Sequence, residues 1–490
     1  MDNTSTIPST PCPKCAPLFA QLETRLKKQD ALIRQQDAKI QALEERFAVL
    51  EGRSRQNSSN SSKPPSSDGY SKPSPQSSRI STGRRPGGQK GHPGSTLKAV
   101  AKPDQVVVHP LQLCLGCHHS LGRQPILGHE KRQVFDLPNL RFLVTEHQAE
   151  IRYCPFCRCQ MTASFPPEVQ APAQYGHRLL AWWTYLKVQQ LLPLERICQM
   201  TADLFRVQVS EATLQSALQA AASKLEGFEA KIKSLLQQAP LAHADETGLR
   251  VTGQLHWFHN LSTPLLTWYG VHPKRGGKAL ESFGLLKRFT GRLIHDCWAP
   301  YFALKRCLHG LCNAHLLREL IFLQEVESQP WAGEMHALLM EMYLFVTRRK
   351  QFVSKLGSKQ KAWWHNRYRT LLRKGWAANP ARAPSAQPSR GRPKKTKAQN
   401  LLCRLQQHEN SVLAFLDDFR VPFTNNQAEQ DLRMVKVQQK VSGTFRTLQG
   451  ALVFARIRSY VSTVRKHQRD VFGDMVRLFQ NKPFIPQKAV

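Results

Sequence analysis

The chain has 490 residues, which is more than one ordinary domain and predicts several globular units joined by linkers. Its 70 Lys and Arg residues outnumber 35 Asp and Glu residues, and the formal net charge of +35 favours nucleic acid over an anionic membrane surface as the partner. The first residues lack a signal-peptide pattern and the most apolar stretch, residues 179–194, is too short to span a bilayer, so we expect a cytoplasmic protein without membrane contact.

Residues 16–51 carry the apolar repeat of a short coiled coil. Eight of the ten positions at a and d spacing are apolar, and Gln29 and Gln36 are polar exceptions of the kind that fixes register and strand number. The pattern predicts a homodimer or higher oligomer, and a helix packed on its own domain is the alternative. Cys12 and Cys15, just before it, either pool with those of a second chain or are incidental. The ten positions are Phe19, Leu22, Leu26, Gln29, Ile33, Gln36, Ile40, Leu43, Phe47 and Leu50.

Residues 52–105 have the composition of a disordered basic arm rich in Ser, Pro and Gly. Between Arg53 and Lys102 there are ten Lys or Arg residues and one acid, and such a segment cannot bury a core. We expect nonspecific contacts with DNA phosphates, and a plain solvated linker is the alternative. The candidate DNA-binding residues here are Arg84, Arg85 and Lys90.

Two CxxC pairs lie within residues 106–172 and predict a zinc-binding domain. Four thiolates suffice for one closed structural zinc site. The pairs are 37 positions apart, so we expect a β-hairpin between them, built from residues 133–137 and 142–144. The candidate ligands are Cys114, Cys117, Cys154 and Cys157, with Cys159, His118 and His119 as substitutes. Six of the twelve cysteines of the chain stand in CxxC pairs, which favours metal ligands over disulfides, and reduced structural cysteines are the alternative.

Residues 173–238 have helical patterning. One helix starts near Leu191, and a second starts after Ser210, whose side chain is a favourable N-cap. Two helices joined by a short turn fit a DNA-reading helix-turn-helix and fit a helical connector equally well.

Three acidic residues in the predicted catalytic region, residues 239–450, lie in or next to predicted strands and a predicted helix. Asp245 lies in a β-rich stretch, and Asp296 follows the strand-like residues 292–295. Glu429 falls in the first turns of a helix that Thr424 or Asn425 can cap. Carboxylate oxygens suit Mg²⁺ or Mn²⁺, and a pair of such ions serves in-line phosphoryl displacement.

Other roles for nearby polar residues remain open. Glu246 is an alternative first carboxylate, although neighbours on a strand face opposite ways. Glu429 and Arg433 are four apart and fit a surface ion pair. Cys312 and His315 have CxxH spacing on a predicted helix, where they serve as metal ligands or support the site. Residues 417–418 offer two more acids, which fit a solvated face better than a site.

A basic helical insertion separates Asp296 from Glu429, at about residues 325–410. Residues 348–397 contain 16 Lys or Arg residues and no acid. The aromatic residues among them suit stacking on unpaired DNA bases, and a solvated amphipathic insertion is the alternative. These aromatics are Trp363, Trp364, Tyr368 and Trp376. An AT-hook-like stretch that fits a narrow minor groove supplies Arg390, Arg392, Lys394 and Lys395. Residues 451–490 form a basic helical tail that we expect to pack on the core.

The chain resembles the DDE transposases of the insertion sequence sixty-six family over essentially its whole length. Its specific motifs are Gly87-Gly88-Gln89-Lys90-Gly91-His92-Pro93-Gly94, Ala244-Asp245-Glu246-Thr247, His295-Asp296, Cys312-Asn313-Ala314-His315, Pro422-Phe423-Thr424-Asn425-Asn426-Gln427-Ala428-Glu429 and the following Arg433-Met434-Val435-Lys436. The stretch Cys297-Trp298-Ala299 departs from the family pattern.

The resemblance implies a multidomain α/β protein with a ribonuclease-H-like catalytic core, preceded by coiled coil, linker, zinc-binding and helical domains. It also implies that Asp245, Asp296 and Glu429 form a metal-binding triad, supported by His315, Cys312, Asn425, Asn426 and Arg433. The expected partners are the DNA ends of the bacterial insertion sequence, the target DNA and small companion proteins encoded by the same insertion sequence. We also expect association with the bacterial nucleoid when DNA is bound. The expected reaction is DNA cleavage followed by strand transfer. An inactive zinc-containing DNA-binding regulator and a metal-dependent nuclease are the alternatives.

Overall fold

The computed structural model describes residues 16–61, 96–380 and 395–488, together with Gly87 and Gly91. The chain divides into two compact units. One comprises Met1–Gln76 and Leu218–Val490, and the other comprises Ser77–Ala217.

The first helix, α1 (Ala16–Ser54), confirms the helical reading of the heptad stretch. Its eight apolar a and d side chains are between 47% and 64% exposed in the single chain. The helix therefore presents an apolar stripe interrupted by Gln29 and Gln36, and the pairing of two such stripes remains a prediction.

Among the described residues of the unit Ser77–Ala217, β1 (Ile151–Cys154) and β2 (Cys159–Thr162) form an antiparallel hairpin. The second CxxC pair lies at the turn of this hairpin. No strand forms at residues 133–144, so the prediction of a hairpin between the two pairs is wrong. The residues of that stretch are almost all exposed, and their alternation of apolar side chains finds no sheet to pack against.

Three helices follow: α2 (His177–Val188), α3 (Leu194–Phe205) and α4 (Glu211–Lys224). Trp183, Leu186, Ile197 and Leu214 form their common core. The predicted cap at Ser210 is confirmed, because its Oγ accepts a hydrogen bond of 3.1 Å from the backbone N–H of Thr213.

A five-stranded mixed sheet is the centre of the other unit. After α5 (Glu226–Gln237), the strands are β3 (Leu241–Val251), β4 (Gln254–Ser262), β5 (Thr267–His272), β6 (Arg292–His295) and β7 (Leu308–Leu311). Their order is β5-β4-β3-β6-β7. The first three strands form an antiparallel meander, whereas β6 runs parallel to β3 and β7 runs parallel to β6. Thr252 and Gly253, both with positive φ, make the tight turn between β3 and β4.

Helices cover this sheet and include the insertion. They are α6 (Gly277–Ser282), α7 (Asn313–Glu325), α8 (Pro330–Arg349), α9 (Ser358–Ala378), α10 (Lys397–Gln407), α11 (Glu409–Val412), α12 (Ala414–Asp417), α13 (Asn426–Ser442), α14 (Leu448–Lys466) and α15 (Val471–Phe479). Ile294 and Leu311 of the sheet share one hydrophobic core with Trp331 of α8 and Leu402 of α10. The insertion is thus part of the same core. None of the helices in the described ranges combines the length and apolar character needed to cross a bilayer.

The aromatic residues of the insertion mostly serve this core, so the prediction of stacking platforms is wrong for them. Trp364 and Tyr368 are buried at 3% and 0% exposure, because their spacing of four places both on the face of α9 that meets α8. Trp376 packs against the same core and donates to Gln406. Trp363 is 53% exposed and is the one of the four that remains available for stacking.

Helix α14 confirms the expectation that the basic tail packs on the core. It lies along the edge strand β5, whose outward amides have no neighbouring strand. The backbone N–H of Tyr269 donates to Ser459 Oγ at 3.0 Å, and that of Thr267 donates to Thr463 Oγ1 at 3.1 Å. Side-chain hydroxyls therefore satisfy the edge that a further strand would otherwise pair with.

Gly291 precedes β6 in close contact with the chain that leads into β3. A Cβ on Gly291 would overlap the carbonyl oxygen of Ala239 and lie 2.8 Å from that of Pro240. Because these oxygens cannot move without shifting β3, we expect Gly291→Ala to lower the free energy of unfolding by about 1–3 kcal/mol. Gly277→Ala is the matched control, since a Cβ there meets no atom within 4 Å. Urea denaturation compares the two variants, and equal transition midpoints would contradict the expectation.

Candidate active site

Three elements place three carboxylates in neighbouring positions, although their oxygen atoms do not all lie within 4.8 Å of one another. Asp245 lies within β3, and Asp296 directly follows β6. His243 and Ile294 are paired in the parallel register, so the two aspartates, each two residues further along, lie at the same height on adjacent strands. Helix α13 packs across β3 and β4 and carries Glu429 in its first turn.

The acids around Asp245 act on its pKa. Burial raises it most, the neighbouring Glu246 carboxylate adds to this, and the negative charges of Asp296 and Glu429 raise it further, to about 8. Cations neutralise such an arrangement, because each carboxylate otherwise disfavours ionisation of the next.

Asn425 fixes α13 against β3. Its Oδ1 lies 2.8 Å from His243 Nδ1, and its Nδ2 donates to the carbonyl of Ala244 at 2.8 Å. Its backbone N–H donates to the Cys312 thiol at 3.2 Å. The expected capping role is wrong for the Asn425 side chain, which makes no cap hydrogen bond because β3 already occupies it. Since alternate residues of a strand share a face, His243 and Asp245 both face α13.

Glu246 faces the opposite side of the sheet, where its oxygens are occupied. Arg275 Nε donates to one oxygen at 2.8 Å, and the Tyr301 hydroxyl donates to the other at 2.5 Å. The Arg275 guanidinium lies 4.8 Å from the ring centre of Trp257 and 4.3 Å from that of Trp298. This arrangement favours Asp245 over Glu246 as the first carboxylate of the site.

Asp296 sits in a loop that buried imidazoles support. Its Oδ1 accepts a hydrogen bond of 3.0 Å from the backbone N–H of Trp298. His295 is fully buried, and its Nε2 lies 2.9 Å from Nδ1 of His309, whose Nε2 lies 3.1 Å from the carbonyl of Leu304. Burial lowers the pKa of His295 to about 3, so this ring is uncharged at neutral pH. Burial lowers the pKa of His309 as well.

Cys312, His315 and Glu429 form a second cluster at the start of α7. Their ligand atoms lie within 4.8 Å of one another, and no other group of three or more His, Cys, Asp or Glu in the described ranges comes so close. Burial raises the pKa of the Cys312 thiol to about 11, so it stays protonated at neutral pH and suits a structural role. Burial also lowers the pKa of His315, while Glu429 and Asp296 act to raise it. Its Nδ1 is buried with no hydrogen-bond partner among the described residues.

The remaining polar residues lie outside this cluster. Asn426 and Arg433 are exposed on α13. No ion pair joins Glu429 to Arg433 in the part of the chain that the structure describes, which disfavours the surface-pair interpretation. Asp417 pairs with Lys361 and Asp418 pairs with Arg420, at 3.2 and 2.8 Å.

The predicted zinc ligands form two separate knuckles. In each, the thiol of the first cysteine accepts backbone hydrogen bonds from the residues two and three positions later, and these lower the pKa of Cys114 and Cys154. Cys117 and Cys157 are exposed. Within the described ranges the four thiols do not come together at ligand distance.

The predicted DNA-binding residues lie mostly outside the described residues. They are Arg84, Arg85, Lys90, Arg390, Arg392 and Lys394, and Cys12 and Cys15 are outside as well. Lys395 is described, and its Nζ donates to the Cys403 thiol at 2.8 Å.

Comparison with family models assigns the chain to a known protein family. Residues 172–452 match the model described as Transposase IS66 family. That range covers more than half of the chain and includes all three carboxylates. The chain belongs to the IS66 transposase family. Transposition is thus the general function of this IS66-family protein, DNA is its partner, and a divalent metal is implied. Residues 16–98 match a family of unknown function (DUF6444). No curated protein matches the chain.

Several residues of the site were not predicted from the sequence. His243 stands two positions before Asp245, a spacing that places both on one face and would have identified it. No local sequence pattern identifies Arg275, Tyr301 and His309, since only the fold brings them close to β3 and β6.

The crowding at Asp245 predicts a stability effect. A carboxyl whose pKa is raised on folding stabilises the fold fully below its unfolded value near 3.8 and loses that contribution as the pH rises through about 8. The amide of Asp245→Asn carries no charge. Above pH 8 we therefore expect the free energy of unfolding of the metal-free variant to exceed that of the metal-free wild type by at least about 1.4 kcal/mol, the equivalent of one pKa unit.

Urea denaturation in EDTA at pH 6 and pH 9 measures this difference. Asp37→Asn, on the exposed surface of α1, is the control and should match the wild type at both pH values. An Asp245→Asn variant less stable than the wild type at pH 9 would contradict the expectation.

Proposed function

We propose that this IS66-family transposase binds the ends of a bacterial insertion sequence and catalyses DNA cleavage and strand transfer through a DDE triad of Asp245, Asp296 and Glu429. The convergence of three carboxylates in a chain of net charge +35 carries this proposal. A pure DNA-binding protein gains nothing from acids clustered where phosphate approaches, whereas metal-dependent phosphoryl transfer requires them.

The sheet supports a ribonuclease-H-like core. A three-stranded antiparallel meander is extended by two parallel strands, and the acids lie on the first strand of the meander and directly after the strand beside it. The third acid comes from a helix packed on the same strands, beyond the insertion.

The donor set fits Mg²⁺ or Mn²⁺, because Asp245, Asp296 and Glu429 offer hard oxygen ligands. Such ions, when bound, lower the barrier to attack of a hydroxyl on a phosphodiester and to departure of the leaving oxygen. The chain's own groups hold the geometry: Asn425 orients the strand of Asp245, and the His295–His309 pair orients the loop of Asp296.

His315 is placed to bind the reacting phosphodiester. It lies beside Glu429 and is influenced by the charge of Asp296, and its Nδ1 has no hydrogen-bond partner among the described residues. Cys312, as a protonated thiol that accepts from the Asn425 backbone, fixes the start of α7 beneath it.

The remaining regions serve assembly and DNA capture in this proposal. The apolar stripe of α1 pairs two chains and so brings two element ends together. The two CxxC knuckles, whose thiols lie apart in this structure, would have to approach each other to hold one structural Zn²⁺. Backbone hydrogen bonds that lower the pKa of Cys114 and Cys154 favour the thiolates that such a site needs. The basic arm and the insertion contact the DNA ends of the insertion sequence and the target DNA. The bacterial nucleoid is the place of action, and companion proteins are candidate partners.

Substitution of the triad tests the catalytic proposal. Asp245→Asn, Asp296→Asn and Glu429→Gln should each reduce cleavage of DNA carrying both element flanks by at least about a hundredfold, since each removes a charge needed in the transition state. DNA affinity should stay unchanged. Asp418→Asn is the control, because its carboxylate pairs with Arg420 outside the site.

The measurement is end nicking in Mg²⁺, Mn²⁺ and Ca²⁺, beside a binding assay. Binding without cleavage by the wild type, also with companion proteins added, would favour the regulator. Nicking without strand transfer would favour the nuclease.

Zinc content tests the role of the knuckles. We expect about one zinc per wild-type chain, and nearly none in Cys114→Ser or Cys154→Ser, because a closed structural site needs all four ligands. Cys198→Ser, a partly buried cysteine of the same unit, should keep its zinc. Metal analysis after extensive dialysis decides. Full zinc content in both knuckle variants would count against the site.

A further inference from the structure

The segment that ends α1 folds into a turn held by its own side chains. Asn57 Oδ1 accepts from the backbone N–H of Ser59 at 2.8 Å. Asn60 Oδ1 accepts from the backbone N–H of Asn57 at 2.9 Å, and Asn60 Nδ2 donates to the carbonyl of Arg55 at 3.0 Å. Asn60 is only 4% exposed. Residues 52–61 therefore have a defined structure, and we call them the arm root.

The arm root lies against α7 and α10. A Cβ on Gly52, which is buried, would sit 3.8 Å from Phe322 Cζ and 4.0 Å from Lys397 Nζ. Lys397 Nζ itself stands 3.9 Å from the centre of the Phe322 ring. A cavity of about 680 Å³ continues this contact. It is lined by Gln56, Asn60 and Ser61 on one side and by Glu319, Leu323, Asn400, Leu401 and Arg404 among others on the opposite side.

Helix α7 connects this contact to the active site. It carries His315 near its start, Glu319 one turn later and Phe322 beyond. Arg404 of α10 donates to the two carboxylate oxygens of Glu319 from its two terminal guanidinium nitrogens, Nη1 at 2.9 Å and Nη2. Arg404 also interacts with the largely buried thiol of Cys297. Cys297 directly follows Asp296, so two catalytic elements meet at one ion pair.

We propose that the arm root is a docking element that holds α7 and α10 together, so that the Glu319–Arg404 pair fixes Asp296 and His315 in their working positions. The inference rests on the proposed function of the site and assigns a role to part of the region that matches a family of unknown function. Arg404 and Glu319 act through their neighbours and are positioning residues.

Gly52 offers a matched pair of variants. In Gly52→Ala the added methyl makes an ordinary contact with Phe322. In Gly52→Arg the longer side chain meets the Phe322 ring and the like charge of Lys397. Ala and Arg both favour helix, so the two variants differ mainly in docking.

Two readouts on the full chain follow docking and its effect separately. Hydrogen exchange should be slow at residues 52–61 and 313–325 in the wild type and in Gly52→Ala, and faster at both in Gly52→Arg. Terbium luminescence sensitised by Trp298, whose backbone N–H donates to Asp296 Oδ1 at 3.0 Å, reports ion binding. The terbium dissociation constant should rise about tenfold or more in Gly52→Arg, the usual effect of losing outer support of a metal site. Arg404→Ala should show the same rise without release of residues 52–61.

The two proposals fail in different ways. Fast exchange of residues 52–61 in the wild type overturns the docking, as does a Gly52→Arg variant whose 313–325 exchange and terbium affinity equal those of Gly52→Ala. Terbium binding that is absent from the wild type, or unchanged in Asp296→Asn, contradicts the proposed function instead. Exchange at residues 313–325, which needs no ion, then still decides the docking.

Discussion

The burial of the Asp245 carboxyl group beside other acids is the constraint on which the rest of the structure depends. Asp245 lies in the interior of a sheet beside three other acids, which together with burial move its pKa to about 8. Folding the chain around such a group is unfavourable in the absence of a cation. The surrounding elements therefore have to hold the acids in place, and hydrogen bonds between uncharged groups are part of that support.

Asn425 and the His295–His309 pair are the clearest of these supports. Asn425 joins a strand, the start of a helix and the Cys312 thiol through one side chain and one backbone amide. The two imidazoles do the same for the loop of Asp296. Rigid support of this kind keeps reacting groups in position before DNA arrives, so that little reorganisation is needed at the moment of reaction.

The sequence predicted the parts of this design that depend on local pattern. Asp245 and Asp296 stand at apolar stretches of β type, Glu429 stands at a helix start, and the heptads of α1 and the Ser210 cap are visible without a structure. The failures concern tertiary context. Trp364 and Tyr368 look like a DNA-stacking surface because they lie among cations, yet burial against α8 is worth more than exposure. The strand-like residues 133–144 have the right alternation but no partner strand. The seat of the arm root on α7 has no local signal, because it joins residues far apart in the chain.

The covered edge of β5 has a consequence for synthesis on the ribosome. The amides of Tyr269 and Thr267 find their acceptors 190 and 196 residues later in the chain. Until that part of the polypeptide has emerged, the sheet carries an open edge able to pair with another nascent chain. The same delay applies to Glu429, which leaves the ribosome long after both aspartates. A half-made polypeptide can thus present its basic arm to nearby DNA while it still lacks the residue that completes the proposed catalytic triad.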